Sequence, residues 1–258
     1  MAESTSRSAV RSGATRRTRA STIRRPAAPP GDVLDIAPAP NPAPEPNPDP
    51  SPDEPLAGPA AVPAPLRRMT DAMVAGQWYR TDDPAIASRH LASQDLVDAY
   101  NATGARQRAL RRNLLGALLA EVGADVDLRA PLYIDHGTQV RIGDRTSAGP
   151  GLTIGDQAAV TIGADVQFGA HVQLVTQVTP VEHVPRTARW ARALPIEIGD
   201  AVHLGAGTVV TPGVRIGPRT VVAPGSVVTM DLPADVLAEG NPARILRPLT
   251  DPGTEPGT

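Results

Sequence analysis

Two counts bound the chemistry open to this chain of 258 residues: five histidines and no cysteine. Without cysteine there is no disulfide, no thiolate metal site, no iron–sulfur cluster and no thiol nucleophile. Histidine is then the side chain whose ordinary pKa suits proton transfer near neutrality. The five stand at His90, His136, His171, His183 and His203. A formal net charge of -2 offers no bulk attraction to a polyanion, so no nucleic-acid partner is expected. No apolar run approaches about 18 residues, so no membrane span is expected either. The basic start (Arg7, Arg11, Arg16, Arg17, Arg19) is followed by Arg24, Arg25 and Pro26 instead of an apolar stretch. It does not read as a secretory signal, and the cytoplasm is the expected location.

What must position such residues is a repeat. From about residue 140 the aliphatic positions recur every six residues. Ile142, Ala148 and Ile154 hold one phase. Ile162, Phe168 and Leu174 resume it after a two-residue slip. Ile198, Leu204, Val210, Ile216, Val222 and Val228 continue it without a break, and the gap from Leu174 to Ile198 is itself a multiple of six. A small residue usually follows, as at Gly143, Gly163, Gly169, Gly199, Gly205 and Gly217. Each hexad reads as a short strand plus a tight corner, and three hexads as one triangular coil. The inward aliphatics stack between coils, and glycine stands where a side chain would be costly. A narrow prism has little room for rings, which agrees with a chain holding 1 Phe, 2 Trp and 3 Tyr.

Two other regions flank the repeat. Residues 1–66 are Arg/Ser-rich and then Pro/Ala-rich, with proline at alternate positions from Pro38 to Pro50. That spacing forbids helix and sheet ladders, so a disordered tail is expected. Met69 opens a segment that reads as a natural protein start. Residues 67–120 have helical spacing at Met69, Met73 and Val74; at Leu91, Leu96, Val97 and Tyr100; and at Leu110, Leu114, Leu115, Leu118 and Leu119. Gly76 is expected to end the first helix, and Thr81-Asp82-Asp83-Pro84 to cap the second. The solenoid is assigned to 121–239, with a loop ejected over 175–197, and a closing tail to 240–258.

From about Met69 to Leu249 the sequence resembles the maltose/galactoside O-acetyltransferase family, which includes the nodulation acetyltransferases. The stretches that carry the resemblance are Met73-Val74-Ala75-Gly76-Gln77-Trp78-Tyr79, Tyr100-Asn101, Tyr133-Ile134-Asp135-His136-Gly137 and Gly240-Asn241-Pro242-Ala243-Arg244-Ile245. The resemblance implies a mainly β fold: a left-handed parallel β-helix with a short helical N-terminal segment. It implies a homotrimer with active sites between subunits, acetyl-CoA as co-substrate and no metal. It places cofactor contacts at Ala206, Thr229, Arg244 and Arg247, with the Ala206 amide as oxyanion donor. It places acceptor contacts at Asp82, Asp135 and Asp156. The arginines suit nucleotide phosphates.

The chain departs from the family pattern at its centre. The family's catalytic histidine lies in the ejected loop, in a Thr-x-x-His-Pro arrangement. Here the loop reads Thr176-Gln177-Val178-Thr179-Pro180, so Thr179 fills the histidine slot. Gly149 stands for an expected Asn, His203 for a Trp, Met230 for a Lys and Pro224 for a smaller residue. Two readings follow. In one the base has moved, to His183 on the same loop or to His203, with His171 a weaker alternative. In the other the chain is a catalytically silent trimeric CoA-binding or scaffold protein. The first, an acetyl-CoA-dependent O-acetyltransferase acting on a sugar or sugar-like hydroxyl, is the leading expectation. A carbonic anhydrase of this fold is not expected, because the five histidines do not fall in its three-ligand arrangement.

Overall fold

The structure is a computed structural model, and it describes residues 69–250. The tail expected over residues 1–66, the expectation of a start at Met69 as it bears on them, and the last eight residues lie outside the described residues.

Period six becomes a parallel β-helix of about six turns. Its first face is built from Glu121–Val122, Val140–Ile142, Val160–Ile162, Ile196–Ile198 and Arg215–Ile216. The second comes from Asp127–Leu128, Ser147–Ala148, Gln167–Phe168, His203–Leu204, Val221–Val222 and Val236–Gly240. The third comes from Leu132–Ile134, Leu152–Gly155, Gln173–Val175, Val209–Val210 and Val227–Val228. The register puts the predicted inward residues directly over one another. Ile142 pairs with Ile162 and Ile162 with Ile198; Phe168 pairs with Leu204 and Leu204 with Val222. The repeat also reaches further back than residue 140. Val122, Leu128 and Ile134 are six apart and form the first coil, in register with Ile142, Ala148 and Ile154.

The chain turns three edges per coil. At the first edge it passes from first to second face, at the second edge from second to third, and at the third edge back to the first. Tight edges leave no space for a side chain between coils. A Cβ at Gly169 would come within 2.3 Å of the Ala206 nitrogen, and one at Gly217 within 2.4 Å of the Ala234 nitrogen. At the first edge Arg145, Asp165, Ala201 and Arg219 take left-handed backbone, with φ between 55° and 58°. Each donates its N–H to the coil before it, at 2.7–2.8 Å, which offsets the conformational cost.

Helices close one end of the prism. α1 (Met69–Val74) stops at Gly76, whose φ is +67°. α2 (Pro84–Asn101) begins with Asp83 accepting the Ala85 N–H at 2.9 Å and Pro84 in its first turn. α3 is Arg108–Leu118. Val97, Tyr100, Leu115, Leu118 and Leu119 join the solenoid core and cover its first coil. Three apolar residues of the expected pattern stay out: Val74 is 41% exposed, Leu91 65% and Leu110 44%. The reason is geometric. α2 buries Ile86, Ser93, Val97 and Tyr100, one stripe of a helix, and Leu91 lies off it. At the other end Val236–Gly240 folds back on Ala243–Pro248 as an antiparallel hairpin.

Candidate active site

The third edge is where the hexad rule breaks. From Ile134 to Ile142, and from Ile154 to Ile162, the inward residues are eight apart instead of six. The two extra residues widen the edge in the first two coils. In the third coil the same edge expands into the ejected loop. Gln177–Val178 pairs antiparallel with Trp190–Ala193, and Tyr79–Arg80 adds a third strand against Trp190 and Ala191. The tip carries the five-residue helix α4 (His183–Thr187). A small apolar cluster of Ala72, Met73, Tyr79, Ile86, Ala158, Ala191 and Ala193 roots this sheet on the prism. Trp78 adds its ring to the Arg192 guanidinium at 5.7 Å. The loop base is therefore fixed by the N-terminal segment, while Val181 and Val184 at its tip are 78% and 75% exposed.

At the foot of the loop, polar groups converge. Gln157 Nε2 donates to Asp135 Oδ2 at 2.5 Å, and both side chains sit over Gly155. The Tyr79 hydroxyl donates to Gln177 Oε1 at 3.0 Å. Burial first, and then the Asp135 carboxylate, push the Tyr79 hydroxyl well above its ordinary pKa, so it stays a neutral donor. Thr176 donates to the Gly155 carbonyl at 2.6 Å and accepts the Ala158 N–H at 3.1 Å, which ties the start of the loop to the coil before it. The sequence reading missed Gln157, Tyr79 and Gln177 as a group. The eight-residue spacing was the available signal, since the extra residues at each widened corner include Asp135 in one coil and Gln157 in the next.

The predicted site residues fall on different parts of the prism. Asp135, Thr179 and Thr229 belong to the third edge, Thr179 and Thr229 being exposed. Ala206 is exposed at the second edge, where its carbonyl accepts the Gly225 N–H at 2.8 Å. His203 is exposed on the second face between Gln167 and Val221. His183 is exposed at the start of α4, and its carbonyl accepts from Thr187 at 2.9 Å. His171 has a φ of 59° and its ring lies against Gly151 at the second edge. Arg244 and Arg247 are exposed on the closing hairpin, and among the described residues each side chain bonds a neighbouring carbonyl, at 3.0 and 3.2 Å. Asp82 is held by Arg80 in a two-point pair at 3.0 and 2.8 Å, a bond that also lowers its carboxyl pKa.

One assignment needs correction. Asp156 was expected to contact the acceptor, but it is 0% exposed. Its Oδ1 accepts the His136 N–H at 2.8 Å. A carboxylate enclosed by its own coil has no face to offer a sugar. Burial pushes its pKa up to about 7, against the lowering effect of that amide. His90 and His136 form an edge-to-face pair at 5.9 Å, and burial lowers the His136 pKa, so its ring is neutral. Among the described residues, no group of three His, Asp or Glu is arranged to hold a metal ion.

Comparison with known proteins places this geometry. Residues 72–123 match the maltose acetyltransferase hexapeptide capping motif, and residues 195–229 match the bacterial transferase hexapeptide repeat. The galactoside O-acetyltransferase of Escherichia coli K12 is 32% identical over 183 residues, which cover 71% of this chain and 90% of that protein. The crystal structure of a maltose O-acetyltransferase from Clostridium difficile 630 superposes with a TM-score of 0.71 at 27% identity, over 72% of this chain and all of that one. A hexapeptide-repeat acetyltransferase from Vibrio cholerae O1 biovar eltor, solved with acetyl coenzyme A, gives a TM-score of 0.67 at 32% identity. It covers 72% of this chain and 100% of its own.

Proposed function

The chain belongs to the maltose and galactoside O-acetyltransferase family of hexapeptide-repeat proteins, and from that premise we propose how its own residues carry out acetyl transfer. The reaction moves an acetyl group from acetyl-CoA to a hydroxyl of a sugar or sugar-like molecule. The observation that carries the site assignment is the widened third edge, where the hairpin loop stands over the Asp135–Gln157 pair. A carboxylate and an amide side by side suit the donor and acceptor faces of a sugar hydroxyl.

The hydroxyl oxygen attacks the thioester carbonyl and gives its proton to a base. The negative charge that forms on the carbonyl oxygen is held by the Ala206 N–H. Collapse of the tetrahedral species breaks the C–S bond, and the sulfur leaves with the proton returned by the base. Threonine cannot serve as that base near neutrality, so Thr179 does not fill the role. His183 is the replacement on the same loop, four residues on. His203, facing outward on the second face, is the second candidate. The exposed guanidinium groups of Arg244 and Arg247 can meet phosphates, since among the described residues each is held by a single neighbouring carbonyl.

These groups do not come together within one chain, because the third edge and the second edge are different edges of a triangular prism. A trimer brings them together by setting the loop of one subunit against the second edge of the next. The faces agree with this. The outward residues of the first face, Glu121, Arg141, Thr161, Glu197 and Arg215, are mostly charged, whereas those of the third, Tyr133, Thr153, Gln173, Val209 and Val227, carry no charge.

The test is release of free thiol from acetyl-CoA with a panel of sugars and amino sugars. Acceptor-dependent release is expected, with loss in His183→Ala or His203→Ala identifying the base. Thr179→His should raise turnover by restoring a base at the slot. Absence of release with every acceptor, together with tight CoA binding, supports the silent-binder reading instead. Light scattering tests the trimer, and a monomer rules out a shared site.

A further inference from the structure

The widened edge contains a carboxylate that the proposed reaction does not use. Asp156 is fully enclosed, with Oδ1 on the His136 amide and Oδ2 without a hydrogen-bond partner among the described residues. The corner it faces is one that the coil ladder cannot hold alone. Three successive carbonyls there are taken by α2: Gln94 Nε2 donates to Ile134 O at 2.8 Å, His90 Nδ1 to Asp135 O at 3.0 Å, and Ser93 Oγ to His136 O at 2.7 Å. His90 must carry its proton on Nδ1 to make that bond. From the solenoid side, Asp156 holds the corner through the His136 N–H.

We propose that Asp156 is a positioning residue for the acceptor site: it fixes the backbone that carries Asp135 so that this side chain meets Gln157. Its place in the chain makes it suited to this. It grips the residue after Asp135 and is itself the residue before Gln157, so one side chain sets both members of the pair. It also belongs to a buried polar column, with His136 above it at 4% exposure and Thr176 below it at 0%. The column links α2 to the start of the loop. This inference rests on reading Asp135 and Gln157 as the acceptor contacts.

The column has a charge state. Asp135 is the charged group that bears on Asp156 directly, while His90 and Arg89 of α2 face the adjoining His136. Burial favours the neutral carboxyl, and its pKa of about 7 lies above the unfolded value of roughly 3.9. The folded state therefore binds the extra proton between those two values. Stability falls as pH rises across that window, and above it the enclosed charge is carried in full. Asn in this position keeps the oxygen for the His136 amide and never ionises.

The experiment compares Asp156→Ala and Asp156→Asn with the wild-type full chain. In steady-state acetyl transfer, the Ala variant should raise the acceptor KM by about tenfold or more while the acetyl-CoA KM stays within about twofold; Asn should recover most of that loss. Equal rises in both KM values, or none, would overturn the proposal. If the wild type transfers acetyl to no sugar, the functional reading fails, and the positioning claim is read by hydrogen exchange alone. The 135–139 amides should then exchange faster in Ala than in Asn, and equal rates sink the claim. If the Ala variant does not fold, thermal melts of Asp156→Asn and wild type from pH 5 to pH 8 decide. The Asn advantage should grow with pH, and a constant difference overturns the enclosed carboxylate.

Discussion

The first and third edges of the prism are made from the same repeat, yet they are built differently. At the first edge each corner is short, its glycine is closed in by the next coil, and its charges are exposed. Arg145 pairs with Asp165, and Arg219 with Asp235, as two-point bonds at the surface. At the third edge the corner is two residues longer, and beside a buried hydroxyl of the kind the first edge also has (Thr146, Thr220) it encloses a carboxylate and an imidazole, Asp156 and His136. The comparison teaches that length decides which polar groups a corner must satisfy. A six-residue corner bonds its backbone to the neighbouring coil, through amides and through short side chains such as Asp144 on the Ala124 N–H and Thr146 on the Gly163 carbonyl. The eight-residue corner of the first coil also turns the Ile134, Asp135 and His136 carbonyls away from the ladder, and side chains of α2 take them. Those side chains make a surface of defined shape, and that is what a binding site needs.

If this division is correct, damage to the stacked interior and damage to the wide edge give different phenotypes. The largest loss of stability should come from the stack. Leu204 is 0% exposed, between Phe168 and Val222. Leu204→Ala should cost about 2–5 kcal/mol, with a melting temperature lower by about 2–4 °C per kcal/mol. A melt within about 2 °C of wild type would mean that the stack is not what holds the coils.

Next in size is Asp135→Asn at the wide edge. Here the effect should appear in kcat/KM for the acceptor, lower by about ten- to a hundredfold, which is the loss of a charge-assisted hydrogen bond of roughly 1.5–3 kcal/mol. The melting temperature should hardly move, because Asp135 is half-buried and Gln157 can rebond to an amide. Loss of stability in step with loss of activity would erase the distinction between the edges. Tyr79→Phe should be milder. It removes one bond to Gln177, worth about 0.5–1.5 kcal/mol, and should lower kcat/KM severalfold with faster proteolysis of the hairpin.

The same division explains what could be read from the chain alone. Period six made the stack legible from Ile142 to Val228, because each inward position takes an aliphatic and each tight corner a small residue. The caps of α2 were legible because Asp83 and Pro84 act locally. Where the period slips, the reading lost its frame. Asp156 follows Gly155 and reads as an exposed carboxylate by composition, but the two added residues turn it inward and leave Gln157 at the surface in its place. The pairing of Tyr79 with Gln177 joins residues 98 apart in sequence, and no local pattern encodes it. Thr179 was legible as a departure only because the loop around it keeps the family's Thr-x-x-x-Pro frame.

The smallest effect should come from the conspicuous surface bonds of the first edge. Arg145 meets Asp165 through two bonds, at 2.7 and 2.6 Å, and the pairing lowers the Asp165 pKa. By distance alone it outranks most contacts in the molecule. The Arg145 side chain is nevertheless 56% exposed, as Asp165 is 49%, so water and salt already screen both charges. The left-handed turn beneath them is held by backbone, through the Arg145 N–H on the Ala124 carbonyl at 2.7 Å, and a substitution of the side chain leaves that bond in place. Arg145→Ala should therefore melt with the wild type at both low and high salt. A salt-sensitive drop of several degrees would show that the charge ladder, and not the close backbone stacking, stabilises this edge.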